Sequence, residues 1–182
     1  MKRVTRQEIL DYVTYEEQRD KFRKKIMKIK ELRRINVAGV LSFLFENTDT
    51  VRYQIQEMIR VERMVKETDI LHEIKTYNEL LGDSGELGCT LFIEIDDPTE
   101  RDEKLTQWID LPMHLYTKVE DGTQIMATFD KRQIGDGRLS SVQYIKFNTE
   151  GKTPIAIGSD YPLLKMETSL TPEQKKALSD DL

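Results

Sequence analysis

Apolar residues along this chain change their spacing near residue 82. Before that point they recur every three or four positions. Tyr15, Phe22, Ile26, Ile29 and Leu32 share one side of a predicted long helix whose other sides are basic. Thr5-x-x-Glu8 and Thr14-x-x-Glu17 have the spacing of capping boxes, and the second is placed to open that helix. Ile35 to Phe45 (INVAGVLSFLF) is rich in β-branched and aromatic residues and reads mostly as one buried strand. Thr48-Asp49-Thr50 supplies helix-start chemistry, and the helix it opens is expected to run to about Lys66. Thr68 or Asp69 caps a third helix, with Ile70, Ile74, Tyr77 and Leu81 as its buried face and Gly82 as its end.

Beyond Gly85 the pattern shifts to strands. Cys89 to Ile95 alternates. Asp97-Pro98-Thr99-Glu100 then opens a helix carrying Leu105, Trp108 and Ile109. His114 to Val119 and Gln124 to Phe129 flank a Glu120-Asp121-Gly122 turn and read as a hairpin. Ser141 to Phe147 and Pro154 to Ile157 are further strands. Thr171-Pro172-Glu173-Gln174 starts a last helix that is expected to fray over residues 179–182. Helices first and strands afterwards define an α+β fold: N-terminal helices, one of them long and basic, packed with a mainly antiparallel sheet. One domain over residues 1–182 is expected, with a subdomain joint near 82–88.

Composition narrows the function classes. At 182 residues, 34% of them charged, the chain is long enough to bury a core without staples. No window reaches the apolar length of a membrane span, and no apolar h-region follows the first basic residues. A single cysteine rules out an internal disulfide and fits a reducing cytoplasm. The net charge of −5 does not favour nucleic acid. Arg19 to Arg34 nevertheless holds nine basic residues, against six acids in Glu94 to Glu103. These stretches can pair within the fold or across a homo-oligomer. The basic helix lacks the interleaved aromatics that stack on bases.

Nucleophilic and metal chemistry have few parts. Cys89 sits among small and apolar neighbours and reads as a buried structural thiol. His72-Glu73 fails the zinc pattern because Thr76 stands where the second histidine is needed, and His72 points away from its helix's apolar stripe. Gly135-Asp136-Gly137 is a loop and not a phosphate cradle. No metal or cofactor is expected.

More is suggested by the helix after Asn47. Arg52, Gln56, Arg60 and Arg63 collect on one side as a basic ridge, a surface suited to carboxylates. Gln54 lies at the edge of the apolar side and Glu62 near its centre. A carboxylate there needs an arginine partner or a raised pKa, and both readings stay open. Glu46, Gln54, Glu57, Glu62 and Gln143 are the polar groups expected to line any pocket between helices and sheet, with Glu62 as its general acid or base.

Three segments, FLFENTDTVRYQIQEMIRVER, HEIKTYNELLGDSGELGCTLFIEI and DKRQIGDGRLSSVQYIKF, closely resemble an uncharacterised bacterial family, domain of unknown function 3501. The resemblance spans nearly the whole chain and brings no assigned active site. It implies a cytoplasmic accessory protein of a redox or peroxide-defence system. Its protein partner would be an iron–sulfur or rubrerythrin-like protein. The expectations, in order, are a non-enzymatic accessory or binding protein that meets a partner through the arginine ridge and the basic Arg19 to Arg34 helix, a small-molecule-binding domain or enzyme with a polar pocket, and, least favoured, nucleic-acid binding through the basic helix.

Overall fold

A computed structural model describes residues 1–135 and 137–182. Asp136, in the predicted glycine loop, lies outside the described residues; Gly137 beside it has φ of +75°.

Helix α1 (Tyr12–Glu31) opens on Asp11, whose carboxylate accepts from the amides of Val13 and Thr14. Thr14 is therefore inside the helix and its hydroxyl donates to Asp11, so the second predicted capping box does not form. The first does: Thr5 and Glu8 close it around a short 3-10 turn, Arg6–Glu8.

The apolar run after α1 is two strands, β1 (Arg34–Val37) and β2 (Leu41–Phe45), and not the single strand expected. Ala38 and Gly39 both take left-handed backbone angles, φ +50° and +73°, which fold the run into a hairpin. In β2 every residue is buried, because both of its faces are covered by other layers.

Asn47 caps α2 (Thr48–Val61) through the predicted turn. The helix stops five residues before Lys66, at Glu62 as C-cap and Arg63 with φ of +49°. The Met64 amide reaches back to the Ile59 carbonyl at 3.0 Å, a Schellman closure in which arginine occupies the usual glycine position. Helix α3 (Glu67–Asn78) also ends before the predicted Gly82.

Strand β3 (Glu86–Ile93) comes next, then α4 (Pro98–Gln107), β4 (Leu115–Val119), β5 (Gln124–Met126), β6 (Thr128–Phe129), β7 (Val142–Asn148), β8 (Pro154–Ser159), the unpredicted β9 (Met166–Ser169) and α5 (Pro172–Ser179). All strand pairs are antiparallel. They form a five-stranded sheet, β1-β2-β3-β7-β6, and a four-stranded sheet, β5-β4-β8-β9. The expected α+β architecture is thus present, with two sheets in place of one. The hairpin expected over 114–129 is divided between them, because β5 pairs with β4 while β6 crosses to β7.

Alternation along β3 sets the layers. Leu87, Cys89, Leu91 and Ile93 join Phe43, Phe45, Ile145 and Phe147 in the main core, shared with Leu115 and Ile157 of the second sheet. Leu105, Trp108 and Leu178 from α4 and α5 close that core. Thr90 points to the other face, where it donates to Glu46, which also accepts from Thr50 of α2. The helical layer of α1, α2 and α3 lies on that side, with its own cluster around Val51, Ile55, Ile59, Ile70 and Ile74. Residues 179–182 do not hang free, since Asp181 is held by a buried pair with Arg33. Among the described residues no helix is long and apolar enough to cross a membrane.

Candidate ligand groove between α3 and the β6–β7 margin

The residues expected to carry function separate into different environments. Of the ridge, Gln56 is buried: its side-chain oxygen accepts from the Leu10 amide at 2.6 Å and its nitrogen donates to the Leu10 carbonyl at 3.1 Å. It ties the segment before α1 to α2 and offers nothing to solvent. Arg52 is engaged by Asp49 and, at 3.5 Å, by Glu8. Arg60 is shared between Glu16 and Glu57, both at 3.4 Å, while its Nε is buried without a partner. Arg63 alone projects freely, beside an open depression of about 570 Å³ lined also by Tyr12, Val13 and Glu16. The continuous outward ridge is not formed. Internal acids were the missing information, because a helical projection shows spacing and not the neighbours across from it.

Glu62 is corrected as well. Continuing the helical angle to position 62 put it on the apolar face, but the helix ends there and the side chain is exposed. Gln143 is fully buried on the sandwich side of β7. It donates to the Ser140 carbonyl at 2.9 Å, and its oxygen has no partner. That places it away from the helices it was expected to face. Gln54 is half-buried, beside Tyr77.

Glu57 and Glu46 do lie between layers. Glu57 accepts from the Tyr15 hydroxyl at 2.7 Å and is forked by Arg19 at 2.8 and 3.0 Å. Burial opposes its ionisation, but Arg19, Tyr15 and the charge of Arg60 outweigh that and hold the carboxyl below its ordinary value. A folded-state pKa depressed in this way adds stability that is complete above the unfolded value and fades as pH falls through the folded one. Unfolding free energy is therefore expected to decline as pH drops below about 4.5, and Glu57→Gln is expected to flatten that decline. Denaturant titrations at several pH values measure it, and an identical slope in the variant would refute the assignment. Glu46 sits with Lys30 in its field, and burial pulls the Lys30 ammonium below its ordinary range.

The concavity that forms lies elsewhere. Glu73, Thr76, Tyr77 and Leu80 succeed one another at helical spacing along α3 and its last turn, and they face β7 and β6 across a groove of about 530 Å³. Tyr144 and Lys146 project into it from the helix-facing side of β7, and Thr128, paired with Lys146, comes from β6. Asp130, Gln133 and Glu79 complete the rim. Its narrow end depends on Gly88. A Cβ there would stand 1.7 Å from the Leu80 carbonyl oxygen, so only glycine lets the end of α3 rest on β3. The open margin of β7 is finished by Gln133. Its side chain donates to the Tyr144 carbonyl at 2.9 Å and accepts from the Tyr144 amide at 2.7 Å, as a neighbouring strand would.

Cys89 touches this groove but is only 3% exposed, and burial pushes its thiol well above the ordinary value. It stays protonated and unreactive. Burial likewise raises the Tyr77 phenol. His72 is exposed, and His114 pairs with Asp160 at 2.8 Å on another face. Among the described residues no group of three or more His, Cys, Asp or Glu side chains is placed to hold a metal ion.

As site residues, sequence reasoning passed over Tyr77, Thr128, Tyr144 and Lys146. One signal was available: in VQYIKF, strict alternation puts Tyr144 and Lys146 together on the face opposite Ile145.

Fold and site together describe a helix-backed double-sheet α+β protein with an aromatic-walled groove beside a sheet margin. The chain belongs to the family described as Protein of unknown function (DUF3501), whose model matches residues 3–182. It is similar in structure to a novel protein of unknown function from Burkholderia pseudomallei K96243, known from a crystal structure at 1.90 Å resolution. That similarity has a TM-score of 0.91 and 26% identity and covers 100% of each chain. None of the curated proteins matches this chain.

Proposed function

We propose that this protein is a binding protein whose groove between α3 and the β6–β7 margin receives a small, largely apolar molecule. The observation that carries the reading is the groove itself: about 530 Å³, walled by Tyr77, Leu80 and Tyr144 under a thin polar rim. A volume of that size, mainly apolar with a few polar groups at its edge, is the usual form of a small-molecule site. This keeps the expectation of a pocket between helices and sheet but replaces its lining. The competing expectation, partner contact through the ridge, loses Gln56, Arg52 and Arg60 to internal bonds. The redox or peroxide-defence setting and the protein partner implied by family resemblance rest on no residue of the groove.

Fluorescence titration with Nile red, a neutral probe that brightens in apolar surroundings, tests the reading. Saturable binding is expected, weakened about fivefold or more by Thr76→Trp, which sets an indole in the groove mouth from an exposed helix position. A wild-type chain that leaves the probe dark, or a variant that binds it equally well, would overturn the proposal.

A further inference from the structure

The charges at the groove mouth do not cancel, and their imbalance names a ligand class. One cation, Lys146, lines the groove and a second, Arg132, lies beside its rim; both have internal acids. Lys146 is 3.3 Å from Glu86, and the Arg132 guanidinium is forked onto Asp130 at 3.0 and 2.8 Å. Arg132 also lies in the field of Glu79, but its nitrogens are directed at Asp130. Glu73 and Glu79, by contrast, enter no ion pair among the described residues, although both line the groove. Glu73 is half-buried at the groove wall. The same groove is lined by two aromatic side chains, Tyr77 and Tyr144. Aromatic faces carry negative potential, and a cation over such a face is attracted more strongly as water is excluded. Carboxylates and aromatic rings therefore favour the same charge.

Resting on the groove as a binding site, we infer that its occupant is an organic cation: an amine or quaternary ammonium group carried on an aryl or alkyl body. The body fills the space between Tyr77, Leu80 and Tyr144, and the cationic head sits at the mouth near Glu73 and Glu79. An anionic ligand would meet the carboxylates of Glu73 and Glu79 and, among the described lining residues, a single cation, Lys146, that is already paired with Glu86.

Three compounds with one body and different heads separate this inference from the groove reading: 4-phenylbutylamine, 4-phenylbutanol and 4-phenylbutyrate, each used to displace Nile red from the full chain. The amine is expected to displace the probe at a concentration about tenfold below that needed for the carboxylate, with the alcohol between them. Raising salt is expected to weaken the amine and leave the alcohol's curve where it was, because only a charge–charge contribution is screened. In the Glu73→Gln and Glu79→Gln double variant the amine-to-carboxylate ratio is expected to move toward one. Equal displacement by all three compounds overturns the cation preference while leaving the groove as a binding site. An amine preference that persists in the double variant overturns its assignment to these carboxylates. A wild-type chain that does not take up Nile red removes the groove reading, and the cation preference goes with it.

Discussion

Replacing Gly88 with alanine is expected to lower stability by about 4 kcal/mol, above the ~1–3 kcal/mol usual for overpacking because the clash is with main-chain atoms. Melting temperature should fall by roughly 8–16 °C for a chain of this size. The reason is positional. The added methyl would meet the Leu80 carbonyl oxygen at 1.7 Å and the Gly82 amide nitrogen at 3.2 Å. Both are main-chain atoms that cannot rotate aside. Relief requires lifting the end of α3 from β3, which opens the narrow end of the groove. Gly39 provides the comparison. Its φ of +73° disfavours alanine, but nothing lies within 4 Å of an added Cβ. Gly39→Ala should therefore cost only the left-handed backbone penalty, about 1 kcal/mol. Thermal denaturation of the two variants side by side decides the matter. If Gly88→Ala melts as high as Gly39→Ala, the close approach does not constrain the fold as argued.

Removing the Asp181 carboxylate is expected to cost about 3 kcal/mol, the lower end of the range for deleting one member of a buried ion pair. Arg33 and Asp181 are 10% and 9% exposed in their side chains and meet through two bonds, at 2.6 and 3.0 Å. Arg33 also donates to the carbonyls of Ile29 and Ala177, both at 3.3 Å. In Asp181→Ala the guanidinium stays buried with only those long carbonyl contacts, so the penalty is chiefly the desolvation of an uncompensated charge. A double replacement, Arg33→Met with Asp181→Leu, should recover much of the loss by removing that charge. Urea unfolding measures both. The midpoint should drop in the single variant at constant slope, and a double variant no more stable than the single would contradict this account.

Much of the fold could be read from the chain, and the parts that could not have physical causes in common. Asp97-Pro98 and Thr171-Pro172-x-Gln174 announced α4 and α5 because capping is local: donor, acceptor and proline lie within four residues. Thr14-x-x-Glu17 had the same form and failed, since Asp11 three residues earlier captured the amides first. The β1–β2 hairpin was hidden because β2 is buried on both faces and shows no alternation, leaving Ala38-Gly39 as its only mark. Glu62 was misplaced by extending a helical angle past the true end of α2, where Arg63 takes a backbone conformation that side chains other than glycine's seldom adopt. The groove was the least legible part. Its two walls come from residues 73–80 and 128–146, and nothing local in either segment specifies that they meet. What could be read was which face Tyr144 and Lys146 share, and not what stands across from them.

Gln133 has a consequence for association. Strand β6 pairs with β7 only at Lys146 and Ile145, so the rest of that margin would present bare amides and carbonyls to any extended chain. By giving both hydrogen bonds to Tyr144 from its own side chain, Gln133 imitates one residue of an additional strand. A second molecule attempting to extend the sheet there must first displace an intramolecular partner that is always at hand, at effectively high local concentration. The margin thus terminates the sheet, and a crowded solution of this protein has no ready template at that edge for stacking copies into a fibre.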